Sequence, residues 1–233
     1  MNKLSKAFYI LMDNLYGWRK FIRMYFYRKP PEYFLSNSKK GFPPVVFIQG
    51  YLARWGFMKP LGDKLARAGY PVYVIPELGN ELVSVEKGAK IVKAMIERKN
   101  LKGVVLIGHS KGGIVGKYLL VHENSDGRIV GLVALAAPFL GARFAPLIRS
   151  AKELSPRSDL LMDLLVNNDV NKKIVTISPS FDATSVHNGD KLVGAENITV
   201  KTSGHKKLVS DKEVANEVIK AIEKLSKRSR IEQ

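Results

Sequence analysis

The 233-residue chain contains no cysteine. Thiolate-ligated zinc, iron–sulfur clusters, thiol nucleophiles and disulfide frameworks are thereby excluded. Acidic side chains are scarce, 21 Asp+Glu against 38 Lys+Arg, for a formal net charge of +17. Histidine occurs four times, so imidazole chemistry has few candidates. No apolar run approaches the ~18 residues of a membrane-spanning helix. His-Glu-x-x-His, a phosphate-cradling loop and Gly-x-Gly-x-x-Gly are all missing, so no metal or organic cofactor is expected. Zinc-finger, RNP and basic-zipper patterns are absent as well, and the basic residues are scattered. No nucleic-acid partner is expected; the charge reads as a solvated surface or one facing anions. Apolar residues make up 45% of the chain, enough for a substantial core at a length suited to one α/β domain.

The first 40 residues read as a helical extension ahead of a domain at 41–233. Leu4, Phe8, Leu11, Leu15, Trp18, Ile22 and Tyr25 recur at spacings of three and four, one stripe of a helix. Lys3, Lys6, Arg19, Lys20, Arg23, Arg28 and Lys29 surround the stripe, and Pro30-Pro31 ends it. Such a helix suits an anionic membrane interface through residues 1–30, or packing on the protein's own core or on a second copy. The apolar stretch Ala7–Met12 is short, Asp13 follows it, and no small-residue cleavage site comes after. A secretion signal is therefore not expected, and the expected location is cytoplasmic, with peripheral membrane contact as one of the options left open by the helix.

From Pro43 onward, short β-branched runs alternate with helical stretches. The expected strands are Val45–Ile48, Val72–Ile75, Val104–Ile107, Ile129–Leu135, Ile174–Ile177 and Ile198–Val200. Helices are expected at Met58–Ala68, Val85–Arg98, Gly112–His122 and Asp211–Ser226. Continuous apolar runs mark strands covered on both faces, so the fold class is α/β: a mostly parallel, doubly wound sheet of about six strands. Residues 139–171 interrupt the alternation and read as a small helical cap at the carboxyl edge of the sheet.

Gly108-His109-Ser110-Lys111-Gly112 follows the third strand and opens a helix. A sharp strand-to-helix turn holds its central residue in a strained conformation, and Gly108 and Gly112 let strand and helix approach. Ser110 is thereby a candidate nucleophile beside a helix N-terminus that favours developing negative charge. A serine needs a base. His109 adjoins it with a ring expected to point away, and His122 ends the elbow helix. His187 and His205 remain, and the Ser203-Gly204-His205 loop after the last strand favours His205. Asp182 follows the strand at Ile174–Ile177 and is the preferred acid, with Asp190 a rival in the same loop. Backbone N–H groups of Lys111 and of Tyr51, in the loop after the first core strand, are the candidate oxyanion donors.

These segments resemble the α/β-hydrolase family, and within it the small bacterial lipases and esterases, over about Pro43 to Leu225. Val45 to Tyr51 resembles the family's strand and His-Gly-aromatic oxyanion loop, and the elbow resembles Gly-His-Ser-Met-Gly-Gly. Ala134 to Gly141 resembles a strand end usually written Thr-Pro-His-x-Gly. Leu154-Ser155-Pro156-Arg157-Ser158 resembles the cap's Leu-Ser-Pro-x-Ser, and Asp182 through Gly204-His205 the acid-to-base stretch. The resemblance implies ester hydrolysis by a Ser110–His205–Asp182 triad. Gln49 stands in place of His, Phe139 in place of another, and Lys111 in place of an apolar residue, the last expected to put a cation at the rim of the site. Phe139, Phe144, Leu160, Leu161 and Leu164 are the expected acyl-binding surface, with an ester or lipid as substrate. A neutral base implies activity falling below about pH 6.5 or somewhat lower. A thioesterase or acyltransferase could use the same groups, and a non-catalytic membrane-surface protein is the alternative of another class.

Overall fold

The computed structural model describes residues 3–80, 82–186 and 189–231, with 3–7, 230 and 231 as backbone alone. The β-branched runs become β1 (Val45–Ile48), β2 (Val72–Tyr73), β3 (Val104–His109), β4 (Ile129–Leu135), β5 (Ile174–Phe181) and β6 (Glu196–Ser203). All pair in parallel, in the order β2-β1-β3-β4-β5-β6. Parallel neighbours need crossovers, and α3 (Lys59–Ala68), α4 (Val85–Arg98), α5 (Lys111–Tyr118) and α6 (Asp159–Val166) lie on four of them, while β5 passes to β6 through a segment without an α-helix and α7 (Lys212–Ile231) follows the last strand. Ahead of the sheet lie α1 (Lys3–Met24) and the single turn α2 (Tyr33–Ser36).

Strand parity builds two cores. Val45, Phe47, Val105, Ile107, Val133 and Leu135 pack with residues of α3 and α7, including Leu61, Leu65, Val218 and Ile222. Val46, Ile48, Leu106, Leu132 and Ala134 pack with Val92 and Ile96 of α4 and Ile114 and Val115 of α5. With both faces covered, β1 and β4 carry only apolar residues and glycine, as does β3 up to its end at His109. Chain order reverses between β1 and β3, which sets a crevice at the carboxyl ends of those two strands.

The bounds differ from the sequence reading for local reasons. β2 stops at Tyr73, short of Ile75, and Pro76 starts a 3₁₀ turn soon after. β6 extends well beyond Ile198–Val200 because an edge strand keeps one polar face and so breaks its apolar run. The elbow helix passes into a π turn at Leu119–Glu123 instead of continuing as α-helix through His122. In the cap, Leu154, Leu161 and Leu164 are buried against the α4/α5 side of the sheet. Ser158 caps α6, accepting from the Leu161 N–H at 3.4 Å while its hydroxyl donates to the Glu153 carbonyl at 2.6 Å.

Helix α1 crosses the carboxyl end of the sheet with its polar and small side inward. Asp13 Oδ1 accepts from the backbone N–H of Lys206 (2.9 Å) and Lys207 (3.2 Å), and the Tyr16 hydroxyl bonds Ser210. Phe21 lies 5.4 Å from the ring of Phe57, and Met24 is buried. The apolar stripe read in the sequence points outward from Phe8 onward, so it does not join the domain's own core.

Candidate active site

Ser110 directly follows β3 at φ 54°, ψ −124°, a strained conformation for a residue with a side chain. The turn is held by Ser110 N–H donating to the Leu135 carbonyl and Gly113 N–H donating to the Ser110 carbonyl, both at 2.9 Å. A Cβ on Gly108 would come within 2.4 Å of the Gly112 carbonyl oxygen, and one on Gly112 within 2.1 Å of the Ile48 carbonyl oxygen. Both glycines are therefore required by backbone approach.

The loop after β6 brings His205 to the same place. His205 Nδ1–H donates to Asp182 Oδ2 at 2.7 Å, with both side chains under one tenth exposed. Asp182 follows the last residue of β5, and its Oδ1 accepts from the Thr184 N–H at 2.7 Å. Burial pushes the Asp182 carboxyl up, but His205 and the N–H groups of Thr184 and Ser185 outweigh it and hold the pKa down at about 2. Burial likewise pushes the His205 imidazole down, yet the charge and hydrogen bond of Asp182 prevail and raise it above its ordinary 6.5. The fall in activity expected below about pH 6.5 therefore moves to higher pH. Asp190 is buried in the same loop, and it is Asp182 that meets His205.

A cavity of about 300 Å³ joins these groups. Ser110, His109 and His205 line it with Gly50 and Tyr51, and Leu52, Phe57, Phe144, Ile148 and Phe21 of α1 form apolar walls. Gly50 is pressed onto the elbow: a Cβ there would stand 2.9 Å from Ser110 Cβ and 3.0 Å from the His109 carbonyl oxygen. Tyr51 braces this loop against the cap through its hydroxyl, 2.7 Å from Ser150 Oγ, and its ring, 5.8 Å from Phe144. A second cavity of about 200 Å³ lies on the other side of His205, between Tyr9, Ile10 and Asp13 of α1 and Arg143 and Phe181.

Several expectations need correction. Of the five acyl-binding candidates, Phe144 alone lines the cavity. Phe139, Leu161 and Leu164 are buried in the α4/α5 core, and Leu160 packs against it, because α6 turns its leucines to the sheet. Ile148, Leu52, Phe57 and Phe21 supply the apolar wall in their place. Lys111 is no rim cation. Its side chain is fully buried, Nζ lies 3.1 Å from Glu153 Oε1 and donates to the Val83 carbonyl. Glu153 also accepts from the Val85 N–H, joining cap, α4 and α5.

His109 departs from the expectation that its ring points away from the site. Its ring faces the site, 5.0 Å from that of His205 and 5.4 Å from Phe57, and Nε2–H donates to the His205 carbonyl at 3.1 Å. Burial, with the neighbouring His205, pushes its pKa down to about 3, so the ring stays neutral. Strand parity held the signal, since residue 109 shares the side of Val105 and Ile107. His122 sits far from the cavity, paired with Asp163 at 2.7 Å, and His187 lies outside the described residues.

The family described as a PGAP1-like alpha/beta domain matches residues 81–154. In three dimensions the chain is similar to the mature form of a Bacillus licheniformis lipase, with 13% identity and a TM-score of 0.64, covering 81% of this chain and 95% of that one. It is similar to a hydrolase from Oleispira antarctica (15%, TM-score 0.60, 80% and 93% covered). A metagenome-derived lipolytic enzyme of the LipS and LipT pair gives 17% identity and a TM-score of 0.61, with 80% and 96% covered. No curated protein matches the chain in sequence. Identities this low speak for the fold, which is that of the α/β hydrolases.

Proposed function

On this α/β-hydrolase scaffold we propose a serine carboxylic-ester hydrolase, an esterase or lipase, with Ser110 as nucleophile, His205 as base and Asp182 as the acid that orients it. The observation that carries the reading is the 2.7 Å His205–Asp182 bond on the cavity that also holds Ser110 at its strained turn. With Nδ1–H committed to Asp182, the neutral imidazole keeps Nε2 as its acceptor. Ser110 Oγ attacks the ester carbonyl as Nε2 takes its proton, and the N–H groups of Tyr51 and Lys111 receive the oxyanion. The imidazolium then gives the proton to the departing alcohol, leaving an acyl-enzyme. Water attacks the acyl-enzyme with His205 again as base, releasing the acid and restoring Ser110. The apolar wall of Phe144, Ile148, Leu52 and Phe57 suits an acyl chain.

The test is hydrolysis of p-nitrophenyl esters from acetyl to palmitoyl by the intact chain and by Ser110→Ala. Turnover that is lost with the hydroxyl supports the reading, and the preferred chain length separates esterase from lipase. Turnover that survives in Ser110→Ala, or none in the intact chain on any ester, removes it.

A further inference from the structure

Helix α1 leaves an apolar face without a partner in the domain. Phe8, Leu11, Leu15, Trp18 and Ile22 are 53–71% exposed and lie along one side of the helix. Tyr25 and Phe26 extend the patch to 50% and 78% exposure. Seven contiguous exposed large apolar residues are far more than the scattered ones an ordinary surface carries.

The charges around this face point to its partner. Arg19, Arg23, Arg28 and Lys29 are all exposed, the first two directly following Trp18 and Ile22 on the flank of the stripe. Asp13 is the one acid before residue 32, and it is turned inward onto the Lys206 and Lys207 N–H groups. The outer face is thus apolar and basic with no acid, which suits an anionic partner with an apolar layer beneath its charge. A second copy of the same basic face would meet it with like charge. Among the described residues no helix is long and apolar enough to cross a membrane, so the geometry is that of a helix lying in the interface.

The face is fixed relative to the site. Asp13, Tyr16 and Met24 tie α1 to the domain, and Phe21 walls the Ser110 cavity. Leu52 and Ile148 on that cavity, and Leu147 beside it, are 46%, 38% and 88% exposed.

We propose that the outer face of α1 docks onto an anionic lipid bilayer, placing the cavity beside Ser110 at the lipid–water boundary. Delivery of a membrane ester to Ser110 rests on the ester-hydrolase reading; docking itself does not.

The experiment is co-sedimentation of the full chain with vesicles of phosphatidylcholine, with or without phosphatidylglycerol, compared with the triple variant Leu11→Glu, Leu15→Glu, Trp18→Glu. Glutamate keeps helix propensity, and these exposed side chains leave the fold intact. Circular dichroism and turnover of a soluble ester check this for fold and site, the latter separating loss of docking from failure of the hydrolase reading. The expected result is sedimentation of the intact chain with phosphatidylglycerol vesicles, weakened by added salt and by more than about tenfold in the triple variant. Trp18 gives a second readout, since the other tryptophan, Trp55, is buried. Its emission should shift to the blue on docking, and the shift should vanish in Trp18→Phe. No sedimentation of the intact chain with either vesicle overturns the proposal, as does sedimentation unchanged in the triple variant. A dimer in solution that the triple variant dissociates, without vesicle binding, assigns the face to a second copy and also overturns it.

Discussion

Replacing Asp182 by Asn tests the proposed site most sharply, because the change should move a rate and a pH limb in directions fixed by the geometry. The carboxylate keeps the His205 proton on Nδ1 through the 2.7 Å bond and stabilises the imidazolium formed as Ser110 attacks. An Asn amide can donate to Nδ1, which sends the imidazole proton to Nε2 and removes the base. The corresponding change in Ser-His-Asp enzymes costs about 10⁴ in rate, which is about 5.5 kcal/mol at ~1.36 kcal/mol per decade. The acid limb should move as well. Asp182 raises His205 above 6.5 against the effect of burial, so inactivating protonation begins above that pH in the intact chain. Without that charge, burial, the largest influence, is opposed mainly by the more distant Asp13, and the limb of the residual activity should shift to lower pH. Asp182 itself, at about 2, stays ionised throughout the working range. Its stabilisation of the fold is present above the ordinary carboxylate value of 3.8 and is lost as pH falls through about 2. The assay is kcat/KM for a soluble ester by pH-stat from about pH 5 to 9. A loss under about tenfold with an unmoved limb would refute the reasoning. A large loss in Asp190→Asn instead would transfer the role to that residue.

Gly112→Ala places a Cβ against backbone that cannot yield, so the denaturant midpoint should report a loss of about 3 kcal/mol or more, or no folded protein at all. Glu153→Ala removes an anionic partner 3.1 Å from the buried Lys111 Nζ together with the acceptor for the Val85 N–H, and thermal or chemical unfolding should show about 1–3 kcal/mol of destabilisation. A midpoint within error of the intact chain would mean that these Glu153 contacts do not hold the fold. His109→Phe keeps a ring against Phe57 but loses the donor to the His205 carbonyl. A kcat fall of about tenfold or more with KM and melting temperature nearly unchanged marks a positioning role, and a fall in stability alone would make His109 merely structural.

The sheet was legible because its central strands are buried on both faces, so Val45–Ile48 and Ile129–Leu135 are apolar throughout with ends in the right places. Edge strands obey another rule: β6 alternates and β2 is cut short, so apolar continuity misjudged both. The elbow was legible for a different reason. Gly108 and Gly112 answer to backbone atoms within a few residues or across one strand, and such local constraints leave residue-type signatures. The cavity walls had no such signature. Whether Leu161 faces the sheet or a substrate depends on how α6 rolls on the α4/α5 layer, and an apolar residue serves either place equally well. Lys111 misled in the opposite sense, since a lysine reads as exposed until Glu153, 42 positions away in sequence, is seen to reach it.

Helix α1 shows most plainly what periodicity can and cannot tell. Its sequence carries two stripes at helical spacing: the strongly apolar one through Leu11, Leu15, Trp18 and Ile22, and a mixed one through Asp13, Gly17, Phe21 and Met24. An amphipathic helix ordinarily buries its more apolar side, but that rule assumes an apolar surface to receive it. Under α1 lie the turn at Lys206 and Lys207 and its unpaired backbone donors, which call for the carboxylate of Asp13. The Lys206 side chain passes so close that a Cβ at Gly17 would stand 2.2 Å from its Cδ. Polar satisfaction and close approach therefore chose the weaker stripe. The stronger one, left outside with arginines on its flank, is what a helix keeps when its second partner is another surface.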